Sequence, residues 1–268
     1  MRDSQVVEEG NVAPPTGLFI LFDSGMRPRR STVLRAIDRV PYVHVSHDPA
    51  SSPAEPEGRD KAASASDEQW LELMVSGLTF DLLGLAPGPG MKIPDVAHKL
   101  ACTHHLEDGS VEAIALMPGP HLADGSNSLP VIRALLEIGC ALARTIEGAH
   151  TICWSPARTA MDPTMFCRSV DGWLAGGPFP ALGMAAFVAN DDGAITTEGL
   201  NFLVGHELRF DPDLSRNRIE ATKIGVRVVH ELVGRGPMSQ PWEFQLGEDS
   251  RLLLNPGSTS HVIEVSRI

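Results

Sequence analysis

Apolar residues at Leu200, Phe202, Val204, Leu208 and Phe210 occupy even positions, a period of two that predicts a strand over 200–210 with all five side chains on one face. Gly205 and the polar pair His206-Glu207 interrupt the run, and a bulge there would re-aim a polar group. Residues 18–22 form a continuous apolar run suited to a buried strand. Ser31 is a candidate N-cap for a helix reaching Val40, and 42–47 alternate as a strand, completing a β-α-β unit. Residues 70–83 read as strand with a break at Ser76-Gly77, and 111–117 and 151–154 as further strands.

Helical spacing is most extended over 128–146, where Ser128 is the candidate N-cap, Pro130 lies in the first turn, and Ile132, Leu135, Leu136, Gly139, Leu142, Ala143 and Ile146 recur on one side. Residues 93–102 and 163–174 also read as helices, the second opened by Asp162; 181–189 reads as a strand ending in the turn Asn190-Asp191-Asp192-Gly193. After Asp213, the positions Ala221, Ile224, Gly225, Val228 and Leu232 make one apolar helix face, stopped at Gly234-Arg235-Gly236-Pro237. Short strands at 242–246, 251–254 and 262–265 finish the chain.

Helices and strands interleave while neighbouring strands join through tight turns, which predicts an α+β fold of antiparallel sheets with helices packed on one face. Residues 1–15 read as a disordered N-terminus, and 48–67, where Ser, Pro, Ala, Glu and Asp displace large apolar residues, as a flexible insertion. That organisation divides the chain into an N-terminal α+β half, 16–125, and a C-terminal α+β half, 126–268. A four-residue echo, Gly77-Leu78-Thr79-Phe80 against Gly199-Leu200-Asn201-Phe202, leaves two arrangements open: two tandem ferredoxin-like halves, or one larger irregular α+β sheet.

With 268 residues, 43% of them hydrophobic, the chain can bury a large core, and a net charge of -12 argues against a general nucleic-acid binder. The acidic N-terminus lacks the basic start and apolar core of a secretory signal, so a cytoplasmic location is expected. No membrane span is expected either, because Arg133, Glu137 and Arg144 interrupt the longest apolar helix. Cys102, Cys140, Cys153 and Cys167 have no C-x-x-C spacing and read as reduced core thiols.

Candidate chemistry is sparse. His98, His104, His105 and His121 are the densest histidine group, but their spacing fits solvated loops and helix ends better than metal ligation. His206-Glu207 resembles an acid–base pair, although strand neighbours point to opposite faces; a capping or cross-strand hydrogen bond is the plainer role. Cys153 and Ser155 flank Trp154 near His150, with no G-x-S-x-G elbow and no third residue to orient a base. Arg158 stands out as an exposed guanidinium suited to a carboxylate or an interface. In the loop 84–90, Pro87 and Pro89 remove the amides that a phosphate cradle needs.

The segments Thr196-Thr197-Glu198-Gly199-Leu200-Asn201-Phe202, Ala149-His150-Thr151-Ile152-Cys153-Trp154-Ser155-Pro156-Ala157 and Glu112-Ala113-Ile114-Ala115-Leu116-Met117-Pro118 resemble a bacterial family known as domain of unknown function 4261. The resemblance covers 111–268 and implies a bacterial, non-catalytic α+β protein. The expected function is therefore that of a cytoplasmic protein-binding protein, an accessory or immunity-type partner of another protein, with no cofactor and no metal. The alternative is a small-molecule enzyme or ligand binder using the 154–158 turn. In either case Trp154, Arg158, His206 and Glu207 are the expected binding residues and should approach one another. An enclosed pocket joining them would favour the alternative.

Overall fold

Five consecutive apolar residues, Leu18 to Phe22, are all buried in strand β1 (Leu18–Asp23), which runs through the middle of an eight-stranded sheet. Alternation splits that run between two cores: Leu18, Ile20 and Phe22 face the helices, while Phe19 and Leu21 join Ala113, Ala115, Cys153 and Ala160 on the opposite face. The computed structural model describes residues 16–51, 69–106, 109–248, 250–257 and 261–268. The expected disordered stretch 1–15 and most of the expected insertion 48–67 lie outside them; within that insertion, Asp48 is ion-paired to Arg30.

The remaining strands of this sheet are β2 (His44–His47), β3 (Trp70–Val75), β4 (Leu78–Leu83), β5 (His98–Leu100), β6 (Val111–Pro118), β7 (Thr151–Trp154) and β8 (Thr159–Met161). Their spatial order is β2-β3-β4-β6-β1-β7-β8-β5, antiparallel throughout except for the parallel pair β5/β8. The sheet thus takes strands from both sides of the 125/126 division. Helices α1 (Arg30–Ile37), α2 (Leu129–Thr145) and α3 (Pro163–Leu174) contribute to the core on one side of it. Gly139 sets the approach of α2, because a Cβ there would stand 2.1 Å from Leu18 Cδ2. Ser128 occupies the N-cap of α2 without a side-chain hydrogen bond, whereas Asp162 caps α3 by accepting from the Met165 amide at 3.0 Å.

Among the described residues, no helix covers the second face. Met91, Ile93, Val96, Cys102 and Leu106 pack on it from an irregular, largely extended segment, which corrects the helix expected over 93–102. The spacing of Ile93, Val96 and Leu100 does suit a helix, but the Ala97 and His98 amides both donate to the Arg158 carbonyl, at 3.0 and 3.1 Å, and β5 pairs with β8. Backbone groups engaged across the sheet are lost to an intrahelical ladder.

A second, six-stranded sheet comprises β9 (Ala186–Ala189), β10 (Ile195–Glu198), β11 (Glu207–Phe210), β12 (Trp242–Gly247), β13 (Ser250–Pro256) and β14 (Val262–Arg267), in the order β12-β13-β14-β11-β10-β9. Four helices accompany it: α4 (Ala181–Met184), α5 (Leu200–Val204), α6 (Pro212–Ser215) and α7 (Arg218–Arg235). Residues 181–184 are thus helical, and only Ala186–Ala189 of the expected strand 181–189 is a strand. Ala221, Gly225, Val228 and Leu232 form the buried face of α7 as the spacing predicts, and a Cβ on Gly225 would stand 2.2 Å from the Phe187 ring. The larger of the two hydrophobic cores runs through both sheets, and the fold is α+β. The four-residue echo does not survive folding, since Leu78-Thr79-Phe80 is strand and Leu200-Asn201-Phe202 is helix.

Candidate functional site

The 154–158 turn grows from the end of β7. Leu18 pairs with Trp154 across β1/β7, Ser155–Ala157 forms one 3-10 turn, and Arg158 closes it in the left-handed region with φ 51. That conformation is sparsely populated for arginine and is held by the two amides that its carbonyl accepts. Trp154 is 1% exposed and meets Phe202 edge to face at 5.5 Å. Neither flanking candidate nucleophile is poised to react. Burial pushes the Cys153 thiol far up, and Ser155 Oγ donates to the Gly17 carbonyl at 3.2 Å while accepting its amide at 3.0 Å.

The Arg158 guanidinium is 42% exposed and bridges two carboxylates: Nη1 donates to Glu198 Oε1 at 3.1 Å and Nη2 to Asp95 Oδ2 at 2.6 Å. Glu198 Oε2 in turn lies 2.6 Å from His98 Nε2. This four-residue network ties the sheet-covering segment, at Asp95 and His98, to Glu198 of the second sheet. Sequence reading missed Glu198 and Asp95, which lie 40 and 63 residues from Arg158 and carry no local motif.

Where a strand was expected over 200–210, the chain forms α5, a left-handed Gly205 and then β11; only the final four residues are strand. Leu200 and Val204 are buried four residues apart, a spacing shared by a period of two and a helical turn. Glu207 decides between them. Its Oε1 accepts the amides of Gly199 at 2.8 Å and Asn201 at 3.0 Å, and its Oε2 accepts the Leu200 amide at 3.2 Å and the Thr197 hydroxyl at 2.6 Å. A carboxylate on β11 therefore caps the first turn of α5. Burial pushes the Glu207 carboxyl above the usual range, against the pull of these hydrogen bonds.

Three of the four expected residues converge on one segment by different routes. Trp154 and Arg158 meet 198–202, and Glu207 accepts hydrogen bonds from the same segment. His206 follows α5 at its far end, with Nδ1 buried and without a hydrogen-bond partner.

The 84–90 loop binds a cation rather than an anion. Arg27 enters it, donating to the carbonyls of Gly84 and, at 2.6 Å, Gly88, while its Nε pairs with Glu112 at 3.1 Å. Among the described residues, no three His, Cys, Asp or Glu side chains are grouped to hold a metal ion, and no helix is long and apolar enough to cross a membrane. Of the expected histidine group, His98 is held by Glu198 and His104 stacks on His150 at 4.1 Å between ring centroids.

A cleft of about 500 Å³ lies at the opposite end of β7, where the end of α2 and the start of α3 converge on His104 and His150. No family model, characterised protein or solved structure matches the chain.

Proposed function

We propose that the protein is a non-catalytic bacterial binding protein of the cytoplasm, an accessory or immunity-type partner of another protein. The observation that carries this reading is the Glu207 carboxylate, whose four hydrogen bonds from its own chain commit it to capping α5. Trp154, buried, offers a ligand no surface. The exposed part of the region is the Arg158–Asp95 pair on a turn whose backbone is fixed by the hydrogen bonds of 97 and 98. A preorganised charged turn loses little entropy on docking, which suits protein recognition. Resemblance to the bacterial family of unknown function points the same way.

The test is cross-linking in bacterial extract, followed by calorimetry on the purified pair. Arg158→Ala should weaken association roughly tenfold while shifting the unfolding midpoint only slightly, since the ion pairs it removes are largely solvent-exposed. Turnover of a small molecule that Glu207→Gln abolishes without loss of fold would overturn the reading.

A further inference from the structure

A sheet edge is a row of unpaired backbone groups, and proteins block such edges with bulges, charged residues or very short strands. Among the described residues the two sheets end in four strands, β2, β5, β9 and β12. The register of β2 shifts between Val45 and His47 and that of β12 between Gln245 and Gly247, while β5 has three residues and carries Lys99. Of these edges only β9, Ala186-Phe187-Val188-Ala189, has neither a register shift nor a charged residue.

The hairpin aims the backbone of β9. The Asn190 amide donates to the Ala194 carbonyl at 2.9 Å, so alternation turns Ala186 and Val188 toward β10 and presents the N–H and C=O groups of Phe187 and Ala189 at the edge. The Phe187 ring, against Gly225 and 6.5 Å from the Phe210 ring, holds the strand in place. Beside this edge is an open hollow of about 210 Å³, bordered on its far side by β5. There His98 donates to the Arg158 carbonyl and Leu100 accepts from the Asp162 amide, which turns the backbone of Lys99 into the same hollow.

His98 Nε2 lies 2.6 Å from Glu198 Oε2, and Glu198 is the register partner of Ala186, so the two sheets are tied together at that end of β9. A single extended chain fits between such walls, whereas the edge of a second sheet would meet β5. Charge marks the other end. Past Ala189, Asp191 is exposed with no ion pair among the described residues, and Asp192 shares Arg209 with Glu264, so a basic residue complements the turn.

We propose, on the protein-binding reading above, that the β9 edge receives an extended segment of the partner protein, which adds as a strand through main-chain hydrogen bonds to Phe187 and Ala189 and places a lysine or arginine beside Asp191.

The experiment is selection of a phage-displayed random peptide library on the full chain, followed by calorimetry of the enriched peptides and amide hydrogen exchange of the complex. Enriched peptides carrying a basic residue should bind one to one, slow exchange at Phe187 and Ala189 of the wild-type protein, and bind Ala189→Pro roughly tenfold more weakly or worse. The Ala189 amide points away from β10, so proline there removes an edge donor and spares the ladder. Arg158→Ala separates the two surfaces: partner binding lost in Arg158→Ala but kept in Ala189→Pro would leave the protein-binding reading standing and overturn the edge. No enrichment, equal binding of the enriched peptides to Ala189→Pro, or unaltered exchange at Phe187 and Ala189 would also overturn it, as would a dimer that Ala189→Pro splits, which assigns the edge to a second copy of the chain.

Discussion

A methyl group on Gly199 would stand 2.4 Å from the Cα of Ala157. Gly199 also has φ +92, so this one position lets the start of α5 lie against the 3-10 turn after β7 and joins the two sheets at the candidate site. Gly199→Ala should therefore destabilise the protein by at least about 2 kcal/mol, from overpacking and backbone strain together. Chemical denaturation measures it. A loss below about 0.5 kcal/mol would show that the turn yields instead.

Glu207→Gln keeps the size of the capping side chain but sets an amide donor against groups that already donate. The expected cost is about 1–3 kcal/mol, because donors in the first turn of α5 lose their acceptor. Hydrogen exchange at Gly199, Leu200 and Asn201 should rise in the variant. Unchanged protection would mean that water replaces the carboxylate without penalty.

His150 supplies a dependence on pH. Burial, first, and then His104 lower its pKa, against the opposing influence of Asp23 and of the Phe22 and His150 carbonyls. Between the lowered folded value and the ordinary value of about 6.5, the unfolded chain binds the proton that the folded chain refuses. Stability should consequently fall as pH drops below about 6.5, and His150→Gln should remove that part of the fall. Urea unfolding of both proteins across the range decides it; parallel curves would assign the effect elsewhere.

Leu135 lies on the buried side of α2 and is 1% exposed. Leu135→Ala should cost about 2–5 kcal/mol. An equilibrium denaturation change under about 0.5 kcal/mol would mean that this face of the helix contributes little to the core.

The elements legible in the sequence are those whose signals are local. The apolar spacing of Ile132, Leu135, Leu136 and Leu142 specifies which side of α2 is buried, and the run 18–22 marks the central strand. The break at Ser76-Gly77 is a tight turn, with positive φ at both residues and Val75 paired to Leu78. Asp162 caps α3 from the adjacent position.

The candidate site is legible only in outline: Trp154, Arg158, His206 and Glu207 stand out in the sequence, but not what holds them. His98 and Glu198 are 100 residues apart, and no pattern along the chain announces their hydrogen bond. Tertiary structure likewise decided that 93–102 is irregular, with a strand only at 98–100, because the Ala97 and His98 amides pair with the Arg158 carbonyl and its apolar side chains cover a sheet face that no helix among the described residues reaches. It also made a helix of 200–204, where the even spacing suits a strand as well, through a cap supplied from β11. Periodicity specifies which side of a segment is apolar. Which backbone groups are satisfied, and by whom, depends on partners that only the folded chain brings within hydrogen-bond reach.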